Sequence, residues 1–196
     1  LAKLFYREEK PSKGDVFVGG INVAKLRNSK VFKLRRKIGI VFQDFKLLNR
    51  STVYENVAFA LEVLGLPKSE IHSKVIKALD LVGLKHKAKQ YPTQLSGGEQ
   101  QRVAIARALA KETPIIVADE PTGNLDEANT VMIMDLLKAI ARDHLVILVT
   151  HEANLVDFYC DTVIELQDGK VVGTKQNASA NGFAAKDKND IYLGEL

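Results

Sequence analysis

Apolar residues in this chain fall into a few unbroken runs, separated by stretches where they recur every three or four positions. The runs are Ile38-Gly39-Ile40-Val41-Phe42, Ile115-Ile116-Val117-Ala118 and Leu145-Val146-Ile147-Leu148-Val149. Runs this short, rich in Ile and Val, have the character of strands buried on both faces of a parallel sheet. Helical spacing predicts a helix over Thr52 to Gly65, with Val53, Val57, Ala60, Leu61 and Leu64 on one face. The pattern repeats over Glu70 to Val82 with Ile71, Val75, Ala78, Leu79 and Val82, and Gly83 is the stop. A third helix starts at Ser96, where Glu99 three residues on completes a capping-box pattern, and continues through Ala110. A fourth runs from about Glu127 to Arg142 with Ile133, Leu136, Leu137 and Ile140. Strand 115–118, this helix and strand 145–149 form a βαβ unit, for which a right-handed crossover is expected.

The ends of the chain are less regular. Leu1 to Arg7 reads as the end of a helix, and Asp15 to Val18 as a short strand before the turn Gly19-Gly20. Thr162 to Val172 reads as a hairpin, because Asp168-Gly169 is a strong type I′ turn signal. From Gln176 onward the residues become small and polar, which predicts a flexible tail or linker over 176–196. The resulting fold class is α/β, a parallel sheet core flanked by helices.

Composition narrows this picture modestly. The 196 residues suit one domain with a subdomain, and 46% hydrophobic content supports a sizeable core. A net charge of +4 does not imply a nucleic-acid partner. The single cysteine, Cys160, cannot form an intramolecular disulfide. No unbroken apolar run exceeds the five residues of Leu145 to Val149, against the roughly 20 that a membrane span needs. Membrane association is therefore expected through a partner.

Candidate chemistry gathers where strands end and one helix begins. Leu95-Ser96-Gly97-Gly98-Glu99-Gln100-Gln101-Arg102 places a Ser and two Gly at a helix start. Such an end carries unpaired N–H groups and about half a positive charge, so it suits a phosphate. By itself Ser-Gly-Gly is more often an ordinary capped helix. The strand 115–118 closes in Asp119-Glu120, two adjacent carboxylates that project to different sides and can take different roles. Gln43 and His151 end the other two strands, where ligands bind in open α/β sheets. Each alone would read as a loop or structural residue, and Gly123-Asn124-Leu125-Asp126 alone would read as a turn and helix cap.

In this order and spacing, the set resembles the ABC-type ATPases, whose signature is LSGGQ and whose Walker B motif is an apolar strand closed by Asp-Glu. The resemblance covers about Leu1 to Lys175 and implies a P-loop NTPase-type core with a helical subdomain carrying the signature. It divides the chain into a first core part (1–43), a helical signature subdomain (44–111), a second core part (112–175) and the tail (176–196). It implies ATP and Mg2+ as ligands. Asp119 and Gln43 would be Mg2+-associated, Glu120 the general base and His151 the switch histidine. Gln43 would also sense the γ-phosphate. Ser96, Gly97, Gly98 and Glu99 would contact the nucleotide held by a partner subunit, with Asp126 in the dimer-contact D-loop. The wording Leu34-Arg35-Arg36-Lys37-Ile38-Gly39, Thr52-Val53-Tyr54-Glu55-Asn56-Val57 and Ala118-Asp119-Glu120-Pro121-Thr122-Gly123-Asn124-Leu125-Asp126 is similar to the FtsE-type division ATPases and to the lipoprotein-releasing and macrolide-export ATPases. That branch implies a homodimer of ATPase subunits, a permease-like membrane subunit (FtsX-like or exporter-like) and a place on the cytoplasmic face of the membrane.

The phosphate loop G-x-x-x-x-G-K-[ST] does not occur in the 196 residues. Several charged contacts to phosphate at about 1–3 kcal/mol each outweigh the roughly 4–8 kcal/mol of a millimolar to micromolar ligand. This polypeptide alone is therefore expected neither to bind nor to hydrolyse ATP, and the gene product is expected to be longer. In the family it resembles, the strand leading to the phosphate loop lies beside the Walker B strand, and without it Ile115 to Ala118 is expected to have an exposed apolar edge. The competing reading is a non-catalytic fragment that offers the signature helix to a complete ATPase subunit.

Overall fold

The computed structural model describes residues 2–177. The chain opens with a short helix α1 (Ala2–Phe5) and a small antiparallel pair, β1 (Phe17–Val18) and β2 (Ile21–Asn22), turning at Gly19-Gly20. A short helix α2 (Val31–Arg35) leads into β3 (Ile38–Phe42). Helices α3 (Val53–Glu62), α4 (Lys68–Leu81) and α5 (Gly97–Ala110) follow, and the chain then returns to the sheet as β4 (Ile115–Asp119). Helix α6 (Glu127–Ile140), strand β5 (Leu145–Val149), helix α7 (Ala153–Tyr159) and the hairpin β6 (Thr162–Gln167) and β7 (Lys170–Gln176) complete it.

The central sheet is parallel, in the order β3-β4-β5, with Ile38, Ile115 and Leu145 in register at one end and Phe42, Asp119 and Val149 at the other. Alternation along the strands serves two cores. Val41, Ile116 and Ala118 face the helices, joining Val57, Leu61, Val75, Leu79, Ile105, Ile133 and Leu137 in the larger core. Ile38 and Val117 face the other way, onto Ala2, Tyr6, Val18, Val23 and Leu34. Both faces of β4 are thus covered, which is why its sequence is apolar without alternation. Helix α5 lies close on this sheet at Gly39, where an added Cβ would come within 3.2 Å of the Ala108 Cβ and of Ile116 Cγ1.

One expectation is corrected here. β4 does not carry an exposed edge; it is the middle strand, paired on both sides. Among the described residues the sheet's edge strands are β3 and β5, and β5 is the more exposed of the two, with Leu145 59% exposed and its other residues half-buried. An apolar run reports that both faces of a strand are covered, and carries no record of which strands lie beside it.

Local signals explain the helix boundaries. Thr52 caps α3 in a reciprocal box with Glu55, accepting from the Glu55 N–H while the Thr52 N–H donates to Glu55 Oε2 at 2.6 Å. Gly83, at φ +70°, ends the α4 region as expected. Buried Asn56 fastens the loop between β3 and α3. Its amide donates to the carbonyls of Leu48, Ser51 and Thr52, and its oxygen accepts from the Leu48 N–H. The hairpin turn has positive φ at both Asp168 (50°) and Gly169 (74°), as a type I′ turn requires. β7 runs to Gln176, and the Asn177 side chain donates to the carbonyls of Val156, Asp157 and Cys160. Residues 176 and 177 therefore belong to the folded hairpin, and the rest of the expected tail, 178–196, lies outside the described residues. Helices α2 and α7 have no counterpart in the sequence reading. No helix among the described residues is long and apolar enough to cross a membrane.

Candidate active site

The parallel register brings three strand ends to one edge of the sheet. With Phe42, Asp119 and Val149 aligned, the residues that follow, Gln43, Glu120 and Thr150-His151, leave the sheet together. Ligands of open parallel sheets bind at this edge. The structure thus assembles Gln43, Asp119, Glu120 and His151 from segments up to about 100 residues apart, in the order the strands dictate.

Glu120 is the best defined of them. Its backbone is left-handed, at φ +46°, and its N–H donates to the Val149 carbonyl at 2.8 Å. One carboxylate oxygen, Oε1, lies 2.9 Å from Nδ1 of His151. The other, Oε2, is shielded from solvent and has no hydrogen-bond partner within the protein. The exposed His151 ring is held above its ordinary pKa, first by the hydrogen bond to Glu120 and then by the charges of Glu120 and Glu152. Burial pushes the Asp119 carboxyl up, and repulsion from Glu120 adds to that. Two acids and an imidazole therefore share a corner with surplus negative charge, a setting that favours a cation.

Gln43 is exposed, and its carbonyl accepts from the Asn124 side chain at 3.1 Å. Gly123 is small because Gln43 occupies the space beside it, where an added Cβ would stand 2.8 Å from Gln43 Nε2. The loop Gly123 to Asp126 then reaches the start of α5, where a Cβ on Gly97 would meet Leu125 Cδ2 at 3.5 Å.

At that start, Ser96 caps α5 and Glu99 closes the box, its Oε2 accepting from the Ser96 N–H at 2.9 Å. Glu99 Oε1 also pairs with Lys87 at 2.5 Å. Burial raises the Glu99 carboxyl, but hydrogen bonds from Lys87 and the Ser96 N–H outweigh it, and the net shift is downward. Gly98 is buried against Asn129, whose Oδ1 would lie 1.9 Å from an added Cβ. Asp126 caps α6, accepting at 2.8 Å from both the backbone N–H and the side-chain amide of Asn129, and these bonds lower its pKa. Glu99 and Asp126 are thus committed to caps, while Ser96 stays exposed at the helix end.

Sequence reasoning missed two residues that frame the corner. Gln101 is fully buried and donates to the Pro121 carbonyl at 2.6 Å. Its signal was a polar residue in phase with the buried Gly98, Ala104, Ile105 and Ala108. Arg107 donates to the carbonyls of Lys46 and Phe45 at 2.6 and 2.7 Å, holding two consecutive left-handed residues (φ 50° and 58°) just after Gln43. Nothing local to Arg107 announces that contact.

Comparison with known proteins follows the same lines. The family model described as ABC transporter matches residues 1–123. The cell division ATP-binding protein FtsE of Bacillus subtilis (strain 168) is 49% identical over 171 residues, covering 87% of this chain and 75% of that protein. The methionine import ATP-binding protein MetN of Rhodopseudomonas palustris (strain BisA53) is 46% identical over 174 residues, covering 88% of this chain and 47% of that protein. A solved dimeric ATP-binding cassette in a post-hydrolysis state with ADP and Pi superposes with a TM-score of 0.78 at 37% identity, covering 89% of this chain and 78% of that one.

Proposed function

We infer a role from family and geometry together: the chain belongs to the ABC transporter family, as an ATP-binding subunit of the ABC ATPase type, and its strand-end corner serves ATP hydrolysis. The observation that carries this reading is the division of labour within Glu120. Oε1 is engaged by His151, while Oε2 is shielded and unpartnered. A free, partly desolvated carboxylate oxygen at a strand end suits a general base. In the proposed step Glu120 Oε2 takes a proton from water, the water oxygen bonds to the γ-phosphorus of ATP, and the bond to the bridging oxygen breaks to release ADP. His151 holds Glu120 from its other oxygen, and Gln43, exposed at the neighbouring strand end, is placed to contact the γ-phosphate side.

The donor set also fits a Mg2+ ion. No group of three or more His, Cys, Asp and Glu among the described residues is spaced to hold a metal alone. Mg2+ bound with a nucleotide needs only one or two carboxylates besides phosphates and water. Asp119, with Gln43, would hold it, and its contribution when bound is to offset phosphate charge. Burial chiefly raises the Asp119 pKa and the charge of Glu120 adds to it, and a cation beside the carboxylate would offset both.

Ser96, Gly97, Gly98 and Glu99 form a capped helix start whose N–H groups suit a phosphate. We assign this surface to the nucleotide of a second subunit in a homodimer, with the Asp126 loop alongside. A permease-like membrane subunit is the proposed anchor, placing the chain at the cytoplasmic face of the membrane. Between division and transport, the FtsE-like role with an FtsX-like partner is favoured on the 49% identity to FtsE against 46% to MetN. The test is phosphate release from Mg-ATP by the purified full-length gene product, with a shift from monomer to dimer on ATP binding. Absence of both, in a sample shown to be folded, contradicts the reading. A polypeptide limited to these 196 residues, which contain no G-x-x-x-x-G-K-[ST] loop, is expected to be inactive. Micromolar nucleotide binding to it by calorimetry would show otherwise.

A further inference from the structure

Helix α5 carries a buried side chain that the chemistry above does not use. Gln101 is 0% exposed. Its Nε2 donates to the Pro121 carbonyl at 2.6 Å, and its Oε1 has no partner within the protein. A carbonyl can only accept, so the amide is oriented with its NH2 toward Pro121. Burying an amide with one end unpaired is unfavourable, and an apolar side chain of equal length would leave no such end. Packing alone does not account for glutamine here.

The neighbour it holds does account for it. Pro121 follows Glu120, and a non-glycine residue in the left-handed region is disfavoured. A following proline restricts that residue further. The unfavourable conformation is held at three points. The Glu120 N–H is tied to Val149 on β5, the Glu120 carbonyl accepts from the Gly123 N–H at 3.2 Å, and the Pro121 carbonyl is tied to Gln101 on α5. Strained backbone of this kind persists where its surroundings over-determine it, commonly at functional sites.

We propose that Gln101 is a positioning residue for Glu120: its amide locks the Glu120-Pro121 turn, so that the helix bearing the Ser96 cap also sets the aim of the carboxylate. The chain of contact is short and continuous, from Ser96 at the head of α5, through Gln101 on the same helix, to Pro121 and Glu120 at the end of β4. A shift of α5 against the sheet therefore reaches Glu120 through one hydrogen bond. This inference rests on the reading of Glu120 as the base.

The test uses the full-length gene product and two readouts besides stability. In Gln101→Met the Pro121 carbonyl loses its donor, but the unpaired Oε1 also disappears, so the urea midpoint should change little. Turnover should fall about tenfold or more, the scale set by small misplacements of catalytic groups, with the KM for ATP within about twofold of the parent. The His151 pKa, followed by NMR, should drop toward its ordinary 6.5, because Glu120 is what chiefly raises it. Gln101→Asn, which keeps the amide but withdraws it by one methylene, is the second variant and should move both readouts the same way. Unmoved turnover and an unmoved His151 titration in folded variants would overturn the proposal, and so would a turnover loss that leaves the His151 titration untouched. Glu120→Gln separates the two ideas. If that variant still turns over, the assignment of the base fails, while the His151 shift in Gln101→Met still reports on positioning.

Discussion

Gly98→Ala tests the claim that α5 and α6 meet too closely at the signature for any side chain. The added Cβ would lie 1.9 Å from Asn129 Oδ1, 2.5 Å from its Cγ and 3.1 Å from its Cβ. The amide must rotate away, and doing so breaks its 2.8 Å bond to Asp126 Oδ2. Overpacking costs about 1–3 kcal/mol and the lost hydrogen bond about 0.5–1.5 kcal/mol. Against this stands the helix preference for Ala over Gly, at most about 1 kcal/mol and less in a first turn. The net expectation is destabilisation by about 1–3 kcal/mol, read as a lowered urea midpoint at unchanged m-value. Asn129→Ala removes the two closest atoms, so the double variant should recover more than half of the loss. The pair should then show a coupling of about 1–2 kcal/mol in a double-mutant cycle. A Gly98→Ala protein as stable as the parent, or losses that add within about 0.5 kcal/mol, would refute the packing argument.

Lys87→Met should lower stability by about 1–2 kcal/mol at neutral pH, the scale of a partly buried, charge-assisted hydrogen bond, since it removes the partner of Glu99. The Glu99 pKa lies below its ordinary 4.5 in the folded state, so its contribution is complete above that value and is lost as pH falls through the folded pKa. Urea unfolding at descending pH should therefore show the parent and Lys87→Met converging on the acid side, and a pH-independent gap would contradict the pairing. Arg107→Met should loosen the left-handed turn at Phe45 and Lys46 by removing two hydrogen bonds from a charged donor, about 3–6 kcal/mol in sum at most. Trypsin should then cut after Lys46 faster than in the parent, and unchanged protection would count against the clamp.

The strands were legible because β3 and β4 are covered on both faces and β5 packs half-buried residues against both cores, and unbroken Ile and Val runs record that directly. The caps at Ser96 and Asp126 were legible because a cap is satisfied within three residues of itself, and the box of Thr52 with Glu55 is of the same kind though it went unread. Strand order was legible only in part: the βαβ unit put β4 and β5 in one parallel sheet, but nothing in Ile115 to Ala118 says that β3 lies on its other side. Gly98 shows how one residue can be read in two ways. Its lack of a side chain suits a phosphate-facing helix end, yet the space it leaves is filled by Asn129 of the same chain. Gln101 and Arg107 act on residues 20 and more than 60 positions away, so that even where periodicity marks Gln101 as buried, nothing local names its partner. Short α7, with no side-chain cap, gave no start signal.

Glu120→Gln in the full-length gene product, given Mg-ATP, addresses the central assignment most directly. The amide keeps the size and reach of the side chain but cannot accept the proton from water. The account predicts that ATP is still bound, that phosphate release is lost, and that an ATP-bound dimer accumulates and persists on size exclusion. Phosphate release at the parent rate would contradict it, because the proton would then be going to a group other than Glu120.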